Sequence, residues 1–578
     1  MPAVSRRRFD YAVPDRWRAD IRPGTRVRVP FHGRRVGAWV VECEVTPPEG
    51  VVVRELTGVS GWGPPSAVLE LAEWGAWRWA MPLATLLRVA SPERNVRTLP
   101  APPRPTQGQL TNGSGRARTT MARSLPAGVT LRRLPPAEDL LGAVLEVVAS
   151  SEANGTSALV LVPSRGWAER LAARLRSRGV DVASSWAEAA AGWPVVVGSR
   201  AAAWAPVPRL GAAVVLDAHD YEDRYDASEV VAERARRAGA PCVLVSPCPT
   251  ASQRVRYGPA EVPVRAEERA GWPALRVVDR RGADPRTGLL SEELVHLAHR
   301  VLPLGERLVC VLNRTGRARL SACKSCGALV RCVVCGRAVE STGSVLQCPG
   351  CGAQRPVVCA QCGSLRMKVL RQGVARVREE LEALLGVRVG EVSGRPGDQA
   401  VPDDAVLVGT EAVLHRVRHA GAVAFLDFDQ HLCAARFSAG EQALALLVRA
   451  GRLVGGRDPG ARRGVGVGAR RGVGARRGVG VGVVMVQTRL PDHDVLRAAV
   501  AGDPDLFTEL DLRRELRLPP FSALAMLKAD AAPALGDERV EVSPLGAGRW
   551  LLRAPDHRTL CDAVAPVHGG VRVDPLDV

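Results

Sequence analysis

From about Ala158 the chain alternates short, wholly apolar runs with amphipathic stretches: ALVLV precedes WAERLAARLRSRG, and VVVGS, AAVVLDAHD and PCVLVS follow in turn. Such runs predict strands buried on both faces, and the stretches between them predict helices that cover a parallel sheet. A second series, RLVCVLN, AVLVGT, AVAFLDF and VVMVQT, repeats the pattern, so two α/β lobes in tandem are expected. Ahead of both, RVRVPFHGRRVGAWVVECEV reads as two β-strands around a His32-Gly33 turn and opens the chain with a small β-rich domain. Between Ala67 and Val89 the apolar positions Leu69, Leu71, Ala72, Trp74, Ala76 and Trp77 recur at helical spacing, which predicts a helix closing that domain.

These patterns divide the chain into an N-terminal domain at 1–98, a Pro/Gly/Ser/Thr-rich linker at 99–120, a first lobe at 121–258, a second lobe at 259–490 and a small α+β domain at 491–578. The second lobe is interrupted twice, by a cysteine-rich insert at 321–364 and by a Gly/Arg stretch at 459–482 that repeats GARRGV three times. Glycine at that density cannot bury a core, so the repeat is expected to be a flexible basic loop.

The net charge of +19 adds an expected polyanionic partner, nucleic acid before membrane. Only three of the 79 basic residues are lysine, so compositional bias toward arginine contributes to that charge. No stretch of about 18 uncharged apolar residues occurs, and the basic N-terminus is not followed by an apolar run; a cytoplasmic protein with no membrane partner is expected. In that compartment thiols stay reduced, and the fourteen cysteines are read first as metal ligands or buried thiols.

Eight of them form four CxxC pairs, CKSC, CVVC, CPGC and CAQC, separated by five, twelve and seven residues, and each pair is followed by glycine. A zinc knuckle turns its backbone amides toward the thiolate sulfurs, and glycine accepts the positive φ of that turn. Eight thiolates make two closed tetrahedral sites, structural rather than catalytic, hence two zinc ions per chain. Four pairs can be shared between two metals in three ways. The twelve-residue gap has room for a hairpin bringing Cys332 and Cys335 against Cys348 and Cys351, leaving Cys323, Cys326, Cys359 and Cys362 to meet around it. This nested arrangement is favoured, since a sequential one closes its first site over five residues. Isolated cysteines such as Cys43 and Cys433 are read as core residues.

The order of these pairs, followed by GSLRMKVLRQGVARVREELEALLG, resembles the primosomal protein N′ (PriA) family of replication restart helicases. RFDYAVP and RPGTRVRVPFHGRRVGAWVVE resemble its 3′-end DNA-binding domain; LVLVPSRG, VVVGSRAAAWAPV, VVLDAHD and LVSPCPT resemble motifs of its first helicase lobe. VLVGTEAVLHR and LLVRAGR resemble motifs of the second, and RRELRLPPFSALA its C-terminal domain. The resemblance implies RecA-like lobes carrying a zinc-ribbon insert, and a pocket for the 3′ end of a nascent DNA strand formed around Phe9, Asp10, Tyr11 and Gly37. It also implies forked and single-stranded DNA, single-strand-binding protein and the machinery that loads the replicative helicase as partners.

The chain departs from that family at the nucleotide site. A phosphate loop of the form GxxxxGK[ST] needs a lysine after glycine, and none of Lys324, Lys368 and Lys528 follows one. At that place the chain reads AGVTLRRLPPAED; Ala218 stands where the acidic box carries its second acid, after Asp217, and Arg449 stands where the family has glutamine. No catalytic residue is assigned, and ATP is left open as a ligand. The expected function is a non-catalytic fork-binding restart protein. The alternatives are an active 3′-5′ helicase and a zinc-ribbon scaffold for RNA or a polymerase.

Overall fold

The computed structural model describes residues 8–47, 49–50, 52–103, 125–221, 223–283, 288–312, 321–342, 345–348, 352–369, 373–392, 400–457, 482–546, 548–567 and 570–575. Most of the expected linker and of the Gly/Arg repeat lies outside these residues. The chain falls into two compact units, one of residues 1–132, 140–261 and 512–575, the other of residues 133–139, 262–511 and 576–578.

The first unit is built on a six-stranded sheet whose strands are, in spatial order, Val129–Arg132, Cys242–Val245, Leu210–Leu216, Ser157–Leu161, Val195–Gly198 and Val182–Ala183, all parallel. The second unit holds a sheet ordered Ala274–Asp279, Val483–Thr488, Ala422–Phe425, Leu308–Val311, Val406–Gly409 and Val389–Val392, again all parallel. Numbered in chain order, both sheets run first, sixth, fifth, second, fourth, third, so the two RecA-like lobes share one topology. Their central strands are apolar on both faces because helices cover both: every residue of Ser157–Leu161 and of Leu308–Val311 is buried.

The N-terminal strands Arg26–Phe31 and Arg34–Trp39 pair antiparallel with Phe31 opposite Arg34, which leaves His32 and Gly33 as a two-residue turn with φ of 48° and 74°. Both values are positive, as a type I′ hairpin turn requires. A third strand, Gly58–Gly61, flanks Arg26–Phe31 on its other side. Val27 and Val29 lie buried on one face of this sheet with Leu56, and Tyr11 and Trp17 pack against them.

The helical segment after it differs from expectation in two ways. It forms two helices, Ser66–Arg78 and Leu83–Ala90, because Ala80 takes a left-handed conformation and Pro82, which has no N–H, starts the second helix. Its apolar face also belongs to the core of the first lobe: Leu69, Leu71, Leu86 and Leu87 are buried in one cluster with Leu159, Leu161, Val215 and Trp204. Helical spacing reports that a face is buried, not what buries it.

The C-terminal part of the first unit is α+β. Its antiparallel strands Glu541–Gly546, Arg549–Ala554, Ala523–Lys528 and Val571–Val573 form one sheet, whose core includes Leu560, Cys561 and Val564 of the helix His557–Val564. A buried ion network ties this region to the rest of the unit. Arg78 contacts Glu229 at 2.9 Å and Asp574 at 2.8 Å, and His557 reaches Asp574 at 2.8 Å. No helix among the described residues is long and apolar enough to cross a membrane.

Candidate metal centres and nucleic-acid interface

The cysteine insert sits between the second and third strands of the second lobe, ahead of the helix Val374–Leu385. The first cysteine of each CxxC pair and the glycine after the pair share one hydrogen-bond pattern. The N–H of Gly327, Gly336, Gly352 and Gly363 donates to the carbonyl of the first cysteine of its pair at 2.9–3.0 Å, and each first cysteine donates its own N–H to the residue just beyond that glycine at 2.8–2.9 Å. All four glycines have φ between 71° and 75°, the left-handed region that a Cβ disfavours. In the first turn the N–H of Ser325 also points at Cys323 Sγ, 3.4 Å away.

The Sγ atoms of Cys323, Cys326, Cys359 and Cys362 lie within 4.8 Å of one another, as do those of Cys332, Cys335 and Cys348. Cys351 is outside the described residues. The four outer sulfurs and the three described inner sulfurs thus form two separate groups, and the hairpin of Glu340–Thr342 with Val345–Gln347 lies within the twelve-residue gap. Four sulfurs about 2.3 Å from a tetrahedral zinc are roughly 3.8 Å apart. The separations of 3.5 Å for Cys323–Cys362, 3.6 Å for Cys326–Cys359 and 3.5 Å for Cys335–Cys348 fit that donor set, and none is a disulfide. Burial pushes the Cys323 thiol up, but the Cys326 and Ser325 amides and neighbouring thiols outweigh it and bring it down to about 6. The Ser364 amide pulls the Cys362 thiol down, but the surrounding thiols outweigh it and push it up to about 12. Opposite shifts on Cys323 and Cys362 are what thiols that share protons show, and a bound dication would favour the thiolates. A small core of Val330, Val339 and Leu346 supports the knuckles, and Ala338 docks on Cys433, whose carbonyl accepts the Ala338 N–H at 2.9 Å. Among the described residues no third group of His, Cys, Asp and Glu comes as close together.

The segment between the first strand and first helix of lobe one, where a phosphate loop would lie, is filled differently. Pro135 and Pro136 carry no N–H, the Ala137 N–H donates to the Gly271 carbonyl at 2.9 Å, and the Glu138 N–H donates to the Pro135 carbonyl at 3.1 Å. The Pro136 carbonyl accepts from Arg452 at 2.8 Å, and Arg133 is held by Glu268 at 2.6 Å and Asp505 at 2.5 Å. Glu138 stands in the same segment, its carboxyl raised by burial and then by Asp139 and Glu267. A cradle for phosphate needs several free amides and a cation; here the amides of Ala137 and Glu138 are engaged and two carboxylates stand beside them. The proline pair was legible in AGVTLRRLPPAED, whereas its packing partners, far along the chain at Gly271 and Arg452, were not. Asp217 ends its strand buried, in a left-handed conformation with φ of 50°, next to the buried Ala218. His219 Nδ1 meets Ser246 Oγ at 2.8 Å.

In the N-terminal domain Phe9 is half exposed and meets the Phe31 ring edge-on at 5.3 Å, Asp10 is exposed, and the Tyr11 hydroxyl donates to the Pro30 carbonyl at 3.1 Å. Burial raises the Tyr11 hydroxyl and Arg54 partly counters it. Gly37 pairs with Arg28 on the face of the three-stranded sheet opposite Val27 and Val29, whereas Tyr11, whose short strand pairs with Arg54–Glu55 in a separate two-stranded sheet, packs on the Val27–Val29 face. Of the tryptophans, Trp17 packs in this domain's core, while Trp39 and Trp74 pack against the first lobe and Trp77 against the C-terminal sheet.

Residues 1–92 match the family of the 3′ DNA-binding domain (3′BD) of PriA. The chain is 28% identical over 590 residues to the probable replication restart protein PriA of Mycobacterium leprae, which covers 90% of this chain and 85% of that protein. It is 26% identical over 422 residues to the replication restart protein PriA of Haemophilus influenzae, covering 65% of this chain and 55% of that protein, and 27% identical to that of Bacillus subtilis, covering 65% and 50%. The chain therefore matches only about half the length of these last two relatives. Among solved structures, yeast Dbp5 bound to RNA and ADP BeF3 aligns with a TM-score of 0.38 at 13% identity, covering 69% of this chain and 91% of that one.

Proposed function

From a chain that is a relative of the replication restart proteins PriA, we propose a protein that binds branched DNA at stalled forks, senses the 3′ end of a nascent strand and helps assemble the restart machinery without turning over ATP. The observation that carries the reading is the match of residues 1–92 to a 3′ DNA-binding domain. Phe9, half exposed at the mouth of the sheet, offers a face for the terminal base, and the exposed Asp10 carboxylate accepts a hydrogen bond from a terminal 3′ hydroxyl, which a phosphate in the chain cannot donate. Tyr11 supports them through the Pro30 carbonyl, and Gly37 leaves the neighbouring strand bare. Two zinc ions, held by Cys323, Cys326, Cys359 and Cys362 and by Cys332, Cys335, Cys348 and Cys351, keep the insert folded as a platform for DNA or a partner. Single-strand-binding protein and the loading machinery of the replicative helicase are the protein partners this reading implies.

Loss of turnover is inferred from the Pro135-Pro136 segment, whose engaged amides and nearby carboxylates oppose phosphate. Steady-state ATP hydrolysis with forked DNA is expected to fall far below the roughly 1 to 100 per second of working phosphoryl-transfer enzymes, and turnover in that range would favour the helicase reading. End sensing is tested by comparing forks that end in a 3′ hydroxyl and a 3′ phosphate. The chain is expected to prefer the hydroxyl, and Asp10→Ala to lose the preference while keeping its salt-sensitive affinity. Equal binding of both ends by the unmodified chain removes the sensor.

A further inference from the structure

The face of the N-terminal sheet that carries Gly37 has a composition that its own packing does not explain. Residues directly opposite each other on neighbouring strands project from the same face. Arg28 lies opposite Gly37 on one side and Gly58 on the other, and Arg35 lies opposite Pro30. One end of this face is covered by the chain that follows the second helix: Trp39 Nε1 donates to Ser91 Oγ at 2.8 Å, Arg26 reaches the Pro92 carbonyl at 2.9 Å, and a Cβ at Gly61 would strike the Val96 carbonyl. Beyond that cover the face bears Arg28, Pro30, Arg35, Gly37 and Gly58, without an acid or a large apolar side chain among them.

Arg28 and Arg35 are exposed and make no ion pair among the described residues. Neither glycine beside Arg28 is required by the fold. Both have ordinary φ, a Cβ on Gly37 would meet nothing within 4 Å, and one on Gly58 would meet only the Arg28 Cβ at 3.9 Å. Glycine within a strand weakens it, and where packing and backbone do not demand it, close approach by another molecule is the remaining physical reason. Two unpaired guanidinium groups on that bare surface select a polyanion.

We infer that the Arg28–Arg35 face binds the sugar–phosphate backbone of the DNA strand whose 3′ terminus is held at Phe9 and Asp10. The inference rests on the 3′-end reading and extends it, because Gly37 on the edge strand lets the strand pass from one face of the sheet to the other. Arg28 and Arg35 contact phosphates and carry no sequence preference; Gly37 and Gly58 let the backbone lie flat on either side of Arg28.

The test uses the full, zinc-loaded chain and a fluorescent single strand of about 30 nucleotides, longer than the roughly 4–16 nucleotides of a small single-strand site, with a 3′ hydroxyl or a 3′ phosphate. The double variant Arg28→Ala/Arg35→Ala is expected to weaken binding about tenfold for both ends alike, and to lower the dependence of log affinity on log salt by about 1.4, roughly 0.7 for each phosphate no longer neutralised. Gly58→Val should weaken binding about as much while leaving the melting temperature unchanged or raised, since valine suits an open strand position. If the double variant keeps the parent's salt dependence, or Gly58→Val binds as the parent does, the inference is overturned. The outcome is separable from the end-sensing reading: indifference of the parent chain to the 3′ group sinks that reading, and the salt dependence judges the arginine face by itself.

Discussion

The cysteine insert and the segment at 133–139 differ in what their local chemistry is able to hold. In the insert each turn keeps its glycine at positive φ and its pair of backbone hydrogen bonds, and seven described sulfurs converge in two groups. The other segment consists of prolines, an arginine engaged with Glu268 and Asp505, and acids, a set that offers phosphate little. A structural metal site contributes directly to folding, so losing one ligand unfolds its surroundings. A nucleotide loop contributes only when ligand is bound, and other packing can take it over. The contrast is what the function proposed above requires, an insert that metal would hold folded beside a segment unsuited to phosphate.

The largest effect expected is on the insert. Freshly reduced protein should contain about two zinc ions per chain, and chelation should unfold the insert, since structural zinc in small domains is worth about 10–16 kcal/mol of apparent folding free energy. Cys332→Ser and Cys348→Ser should each lose the same one ion, and Cys323→Ser and Cys359→Ser the other. Metal analysis of the four variants checks this, and loss of both ions from every one of them would merge the two sites.

A smaller effect should appear at the proline segment. A Cβ on Gly271 would lie 2.5 Å from Pro135 Cγ and 2.6 Å from its Cβ, so Gly271→Ala should destabilise the second unit by about 1–3 kcal/mol through overpacking. Denaturant midpoints measure it. A midpoint equal to the parent's would mean that the proline segment is not packed as described and would weaken the contrast with the insert.

The smallest is a pH effect in the second lobe. Burial lowers His431 to about 4, against which Glu411 pulls upward, while burial and then Asp427 raise Asp429 to about 6. His431 takes up a proton more readily unfolded, so falling pH between about 6.5 and 4 removes stability there. Asp429 holds its proton more readily folded, so falling pH between about 6 and 3.8 adds stability. The two oppose each other, and the parent should show a shallow acid limb. Asp429→Asn should steepen it by about 1–3 kcal/mol between pH 6.5 and 4, read from urea midpoints. Identical limbs would mean that the two groups are not buried together.

What the sequence determined by itself was whatever depends on neighbours close along the chain. Buried runs such as ALVLV, the His32-Gly33 hairpin and the four glycine-closed CxxC turns are settled by local sterics and periodicity. Gap lengths likewise favour a nested grouping of the cysteines, because a twelve-residue hairpin brings its ends together. Only the tertiary structure decided which surface takes each buried face. Leu71 and Leu87 read as part of the N-terminal domain but lie in the core of the first lobe, and Trp77 packs toward the C-terminal sheet, where its indole N–H donates to Asp562, 485 residues along the chain. The same holds for the bare arginine face: alternation along a strand says that Arg28 and Gly37 point somewhere, and only strand register makes them neighbours. Periodicity carries the angle of a side chain about its own element, whereas its partner is chosen by the fold of the whole unit.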